Sequence, residues 1–180
     1  MSNKATSSEI ELELTYLASR MPEEVLNVQP MPMVDIYIPE AGKDHPHLRL
    51  RQKGDKYEIT KKEPIETGDA SAQLETTIPL EKIEFDALSQ ASQAKVEKNR
   101  YYVVIEGSPA EVDVFEGKLK GLVLIDFEFD SEEDKSSFKP PITCLCDVTQ
   151  EEFIAGGLLA GKSYADIRLD LERLNYKPIV

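Results

Sequence analysis

Apolar and polar residues alternate one by one in seven separate stretches of the chain, and a two-residue period marks a β-strand with two unlike faces. In EIELELTYL, Glu11, Glu13 and Thr15 share one face, with Leu12 and Leu14 on the other. HLRLRQKG sets Arg49 and Arg51 against Leu48 and Leu50. After a Gly54-Asp55 turn, GDKYEITKKEP sets Thr60 and Lys62 against Tyr57 and Ile59. QLETTIPL offers Glu75 and Thr77, and VEKNRYYVVIEG offers Lys98 and Arg100. AEVDVFEG carries Glu111 and Asp113 between valines, and GLVLIDFEFD carries Asp126 and Glu128 between Ile125, Phe127 and Phe129.

Helical spacing appears in three places. PLEKIEFDALSQAS places Leu80, Ile83, Phe85 and Leu88 behind Pro79, which suits the first turn of a helix crossing the sheet exterior. DVTQEEFIA reads as a helix start with Thr149 as its cap, and SYADIRLDLERL as a second helix capped by Ser163. The segments EAGKDHPH and SEEDKSSFKPPI read as loops by their Gly, Pro and Ser content. Between the last two helices, GGLLAGKS fits the phosphate-loop spacing at Gly156, Gly161, Lys162 and Ser163. That loop needs a strand immediately upstream and a βαβ layout, and a helix start stands there instead, so the expected structure is two short helices joined by a glycine turn.

A chain of 180 residues with 41% hydrophobic and 31% charged positions supports one globular domain. We expect a flexible N-terminus over 1–7 and a single domain over 8–180, with helices in 149–180. The polar start and the lack of a long apolar run lead to a cytoplasmic expectation, with no membrane association. Cys144 and Cys146 form a lone C-x-C, read as reduced and structural, and His45 and His47 as solvated loop residues. A net charge of −13 argues against nucleic acid as a partner.

Where the charges sit changes that picture. Five of the seven polar rows hold two like charges at i and i+2, so whole strands are acidic or basic, although like charges on one face repel. A closed antiparallel sheet with a charged, wet interior reconciles these rows, because closure removes sheet edges and about eight strands enclose a small lumen. The expected fold is therefore mainly β (α+β): a closed eight-stranded antiparallel barrel, or tunnel, with helices outside and a helical C-terminus. Inside it, Arg49, Arg51, Lys62, Lys98 and Arg100 suit an oligophosphate, and clustered carboxylates suit Mg²⁺ or Mn²⁺.

These rows resemble the CYTH domain of the triphosphate tunnel metalloenzymes. The first strand's E-x-E is matched by Glu11 and Glu13, R-x-R by Arg49 and Arg51, T-x-K by Thr60 and Lys62, and K-x-R by Lys98 and Arg100. E-x-D is matched at Glu111 and Asp113, and the late E-x-E at Asp126 and Glu128. The resemblance spans about residues 9–150. It implies that the five cations bind a triphosphate or short polyphosphate, and that Glu11, Glu13, Asp126 and Glu128 hold the metal, with Glu111 and Asp113 as supporting or second-metal ligands. It implies catalytic roles for Glu11 and Glu13 in hydrolysis by a metal-activated water, and leaves a homodimer open. In this chain Thr15 stands where the family has a lysine thought to orient the attacking water, Thr77 replaces a glutamate, and Asp126 is one methylene short. The leading expectation is an inorganic tripolyphosphatase. The alternatives are a triphosphate-binding protein that turns over little because of Thr15, and an enzyme resembling class IV adenylyl cyclases.

Overall fold

The structure, a computed structural model, describes residues 6–40 and 46–179. Its strands are β1 (Ser7–Ala18), β2 (Met31–Ile38), β3 (Leu48–Lys53), β4 (Lys56–Pro64), β5 (Ala72–Leu80), β6 (Lys95–Ile105), β7 (Ser108–Phe115), β8 (Val123–Phe129) and β9 (Cys144–Asp147). Antiparallel pairing runs β5-β4-β3-β2-β6-β7-β8-β1, and β1 then pairs with β5 to close eight strands into a barrel. The closure is staggered: β1 meets β5 along Ser7–Leu12 and β8 along Leu12–Leu17.

β9 takes over where β5 leaves β1, pairing from Tyr16 to Ala18. Between them, Glu13 N donates to Ser71 O at 3.0 Å, Thr15 N donates to Thr149 Oγ1 at 3.0 Å, and Val148 N donates to Thr15 O at 2.8 Å. The edge of β1 thus keeps its backbone groups satisfied, as burial requires. Thr149 serves this seam and does not cap a helix; the chain beyond it forms a 3-10 turn over Glu152–Ile154.

The eighth barrel strand is β2, MPMVDIYI, which the alternation of like charges did not reveal. Its inward positions Met33, Asp35 and Tyr37 carry a single charge, so no like-charged pair marks it. The helices are α1 (Lys82–Leu88), α2 (Glu132–Ser137), α3 (Gly156–Leu159) and α4 (Tyr164–Arg173). Pro79 lies within β5, and α1 starts later, at a capping box made by Glu81 and Glu84. SEEDKSSFKPPI contains a helix instead of only loop, because Ser131 caps α2 by accepting from Asp134 N and three acids fill its first turn. Of the expected flexible N-terminus, residues 1–5 lie outside the described residues, while Ser7 already belongs to β1. Residues 41–45 of the expected EAGKDHPH loop, His45 among them, also lie outside, and His47 is exposed.

Alternation sorts each barrel strand into an outer and an inner face. Outward residues Tyr16, Val103, Ile105, Val112, Val123, Ile125 and Phe127 form one core, to which Phe129 and Phe138 add their rings. A second core closes one end of the bore. There the inner rows turn apolar at Leu17, Tyr37, Val96, Phe115 and Leu124, and the C-terminal segment packs Leu159, Ile167, Leu171 and Tyr176 against them. Tyr176 fastens this plug, with its hydroxyl donating to Gly121 O and accepting from Val123 N, both at 2.8 Å.

The glycines of GGLLAGKS belong to that plug. A Cβ on Gly156 would collide with the Tyr37 hydroxyl, and one on Gly157 would come within 2.8 Å of the Pro46 ring. Ser163 caps α4 in a box with Asp166. The phosphate-loop spacing here serves close packing between α3 and the barrel end. Among the described residues no helix is long and apolar enough to cross a membrane.

Candidate active site

The inward faces of all eight barrel strands carry charges, β2 through Asp35 alone, and the barrel's register decides which of them meet. Arg51 on β3 donates from Nε and Nη2 to the two carboxylate oxygens of Asp35 on β2, both at 2.7 Å. Arg100 on β6 donates from Nε and Nη2 to Asp113 on β7 at 2.7 and 2.6 Å, bonds to Glu111 through Nη1, and lies 3.5 Å from Asp126 on β8. Lys98 donates to the same Asp113. Lys62 on β4 bonds to Glu11 on β1 and lies 3.2 Å from Glu75 on β5, which Arg49 Nη2 meets at 3.4 Å. Thr60 and Thr77 share a hydroxyl hydrogen bond of 2.9 Å, and Thr77 donates to Glu75 at 3.1 Å. These contacts bring the charged rows of the strands together on the inner face of one bore.

Register divides the acids into two groups. Glu111 and Asp113, expected to support a metal, are engaged by Arg100 and Lys98 and fix those cations in place. Glu11, Glu13 and the exposed Glu128 converge, each offering a carboxylate oxygen within 4.8 Å of the others, with Lys62 bonded to Glu11 at the edge of the group. Asp126 stands beside them, buried, and accepts from the Thr15 hydroxyl at 2.8 Å.

The electrostatics follow this division. Burial alone would raise Asp35, but the charge and hydrogen bonds of Arg51, with Arg49 and Lys98 beyond, hold it far below the carboxylate range. Burial would likewise raise Asp113, and Arg100 and Lys98 hold it low. On the acidic side the balance reverses. Burial, then Glu111, Glu11 and Glu13, push Glu128 up to about 7 against the pull of Arg100. Burial, Glu13 and Asp113 raise Asp126 well above its ordinary value.

Both charged regions fit the ligands their chemistry suggests. Carboxylates that converge where desolvation, and then their acidic neighbours, disfavour ionisation of Glu128 are what a hard divalent cation stabilises, since Mg²⁺ and similar ions take oxygen ligands. On the basic side, Arg49 Nε is buried without an acceptor, and a buried donor left unpaired costs about 1–3 kcal/mol. An anionic oxygen supplied by a ligand would satisfy it. Arg51, held by Nε and Nη2, keeps Nη1 for the same use.

Two contributors were not read from the sequence. Asp35 is 1% exposed and orients Arg51; Tyr37, buried beneath, joins the charged rows to the plug. The available signal was the period-two pattern of MVDIY, in which a lone acid sits between a methionine and a tyrosine of the same face.

No protein-family model matches the chain. An inorganic triphosphatase of Nitrosomonas europaea is 33% identical over 144 residues, covering 79% of this chain and 91% of that protein. A crystal structure of an inorganic triphosphatase, 29% identical, aligns with a TM-score of 0.61 over 83% of this chain and 93% of that one. A candidate adenylate cyclase from Bacillus halodurans shares the fold at 19% identity, with a TM-score of 0.53 over 90% of this chain and 97% of that one. A closed eight-stranded barrel with this interior, and a relative matched over nearly its whole length, place the chain in the CYTH, or triphosphate tunnel, family.

Proposed function

We propose that this protein is a divalent-metal-dependent hydrolase that cleaves a phosphoanhydride bond of a linear triphosphate, with inorganic tripolyphosphate as its first substrate. The observation that carries this reading is the meeting, in one plugged bore, of an acidic trio with a basic wall containing an unpaired buried guanidinium N–H. The 33% identity to an inorganic triphosphatase supports the same choice of substrate.

In this reading Arg49, Arg51, Lys62, Lys98 and Arg100 bind the phosphate oxygens. The arginines orient them by directed N–H donors, and the lysines add point charge. Asp35, Asp113 and Glu111 keep the cations from shifting as substrate charge enters. Glu11, Glu13 and Glu128, with Asp126 beside them, hold Mg²⁺ or Mn²⁺. The ion supplies charge neutralisation at the phosphates and a lowered pKa for water. Glu11 and Glu13, which face the bore from the first strand, orient the attacking water, and the apolar floor at Leu17, Tyr37 and Phe115 keeps bulk water from that end. Residues 8–180 act as one tunnel domain. The net charge of −13 disfavours nucleic acid as a partner. In this reading the protein works in the cytoplasm on a small phosphate, as a monomer or a homodimer.

The test is phosphate release from tripolyphosphate, ATP and thiamine triphosphate with Mg²⁺, with Mn²⁺ and with chelator. Release that needs metal supports the reading, and no release from any of the three refutes it. Thr15 favours one alternative, a tunnel that binds tightly and turns over slowly, because its hydroxyl on Asp126 brings no positive charge to the acidic side. Calorimetry showing tight tripolyphosphate binding without turnover would select it.

A further inference from the structure

One of the five cations is placed unlike the rest. Arg51, Lys98 and Arg100 lie against Asp35, Asp113 and Glu111, none of them a member of the acidic trio, and Arg49 lies against Glu75. Among the described residues, Lys62 alone forms an ion pair with the trio itself, through Glu11. The register accounts for this. Lys62 on β4 stands directly opposite Glu75 on β5, and Glu11 belongs to β1, the next strand round the barrel. The ammonium lies 3.2 Å from Glu75 while bonded to Glu11, so carboxylates of two adjacent strands share it. The side chains of Lys62, Glu11 and Glu75 are 19%, 20% and 18% exposed, and water screens their attraction only in part. Burial would lower the Lys62 pKa, but Glu13, and then Glu11 and Glu75, raise it on balance in spite of Arg49, so the group stays charged. A lysine is a point charge on a flexible stem. Leaving Glu11 therefore takes only side-chain rotation, and Glu75 still holds the ammonium.

Glu11 thus has two claimants, the ammonium it already holds and the divalent cation that the trio suits. We propose that Lys62 is a built-in counterion whose bond to Glu11 couples anion binding to metal binding, because a polyphosphate that draws the ammonium to its own oxygens frees the carboxylate for the cation. Such coupling is reciprocal, so a cation on Glu11 releases Lys62 toward the phosphate by the same factor. Each charge exchanges its partner, and none is left bare at any stage. The Thr15 hydroxyl, which donates to Asp126, brings no charge to this side, so Lys62 remains the counterion of the trio. The inference rests on the triphosphatase reading and adds a control on how its two ligands enter the bore.

The experiment is calorimetric titration with Mn²⁺ alone, without phosphate, of the wild type, Lys62→Met, Lys62→Arg and Lys98→Met. Lys98→Met removes the same charge from the same bore, but from Asp113, which keeps Arg100. We expect Lys62→Met to bind Mn²⁺ roughly ten-fold more tightly than wild type, with Lys98→Met within about three-fold and Lys62→Arg close to wild type. Equal tightening in the two Met variants would reduce the effect to general charge and overturn the proposal, as would no change in Lys62→Met or no binding to any of the four. The wild type gives a second measurement that needs no folded Met variant. With lysine labelled by ¹³C at Cε, and the Lys62 resonance assigned by its absence from Lys62→Arg, saturating Mg²⁺ should shift that resonance, and an unmoved signal overturns the coupling. Metal-dependent phosphate release keeps the hydrolase reading whichever way these titrations fall. Absence of release sinks that reading, and Mn²⁺ alone still decides the role of Lys62.

Discussion

Replacing Asp35 with Asn separates the buried wall of the site from its solvent-screened parts. The substitution keeps shape and one acceptor oxygen, but deletes the charge that faces Arg51 across two bonds of 2.7 Å. Asp35 is 1% exposed and the Arg51 side chain 9%, so water does not screen the loss. Arg100 adds repulsion on the Arg51 side. Removing one partner of such a pair costs about 3–5 kcal/mol, and the remaining oxygen puts Asp35→Asn near the lower limit, about 3 kcal/mol. For a chain of this size that is a fall in Tm of roughly 6–12 °C.

Urea unfolding at pH 7 should show the midpoint falling with the slope unchanged. Asp35→Leu combined with Arg51→Met should lie within about 1 kcal/mol of wild type, since an apolar pair avoids the desolvation that the ion pair must offset. Because the Asp35 pKa is depressed on folding, its contribution is complete above the unfolded value near 4 and is lost as pH falls below it. Tripolyphosphate should stabilise Asp35→Asn by more than it does wild type, as the anion becomes the counterion Arg51 lacks. A loss under about 0.5 kcal/mol at pH 7 would refute the reasoning, because Arg51 would then be solvated and not held by Asp35.

Three further outcomes follow from other parts of the bore. Glu128 is raised to about 7 on folding, so the protonated form favours the native state: without metal, its contribution is present below the unfolded value near 4.5 and is lost as pH rises through 7. Chelated protein should therefore melt higher at pH 6 than at pH 8 relative to Glu128→Gln, and Mg²⁺ should reverse the order in wild type, both read by calorimetric Tm. Arg49→Met should raise the KM for tripolyphosphate at least about ten-fold while changing urea stability by less than about 1 kcal/mol, since it removes an unpaired buried donor together with a long 3.4 Å pair to Glu75, which keeps Lys62 at 3.2 Å. Gly156→Ala should lower stability by about 1–3 kcal/mol, because its Cβ meets the Tyr37 hydroxyl, and thermal unfolding should show the drop.

What could be read from the sequence is what repeats locally. A two-residue period assigns side chains to faces wherever a strand forms, so Glu11 with Glu13, Arg49 with Arg51, and Lys98 with Arg100 declared a charged inner surface before any pairing was known. β2 escaped because Asp35 stands alone on its face, and a pattern of pairs cannot register a single charge. Which partners meet depended on stagger around the closed sheet, a property of all eight strands at once. That stagger sends Glu111 and Asp113 to Arg100, gathers Glu11, Glu13 and Glu128, and brings Lys62 to Glu11 across β5. The plug was likewise decided in three dimensions, since residues as distant in sequence as Leu17, Tyr37 and Gly156 specify it only once the barrel end exists for them to fill.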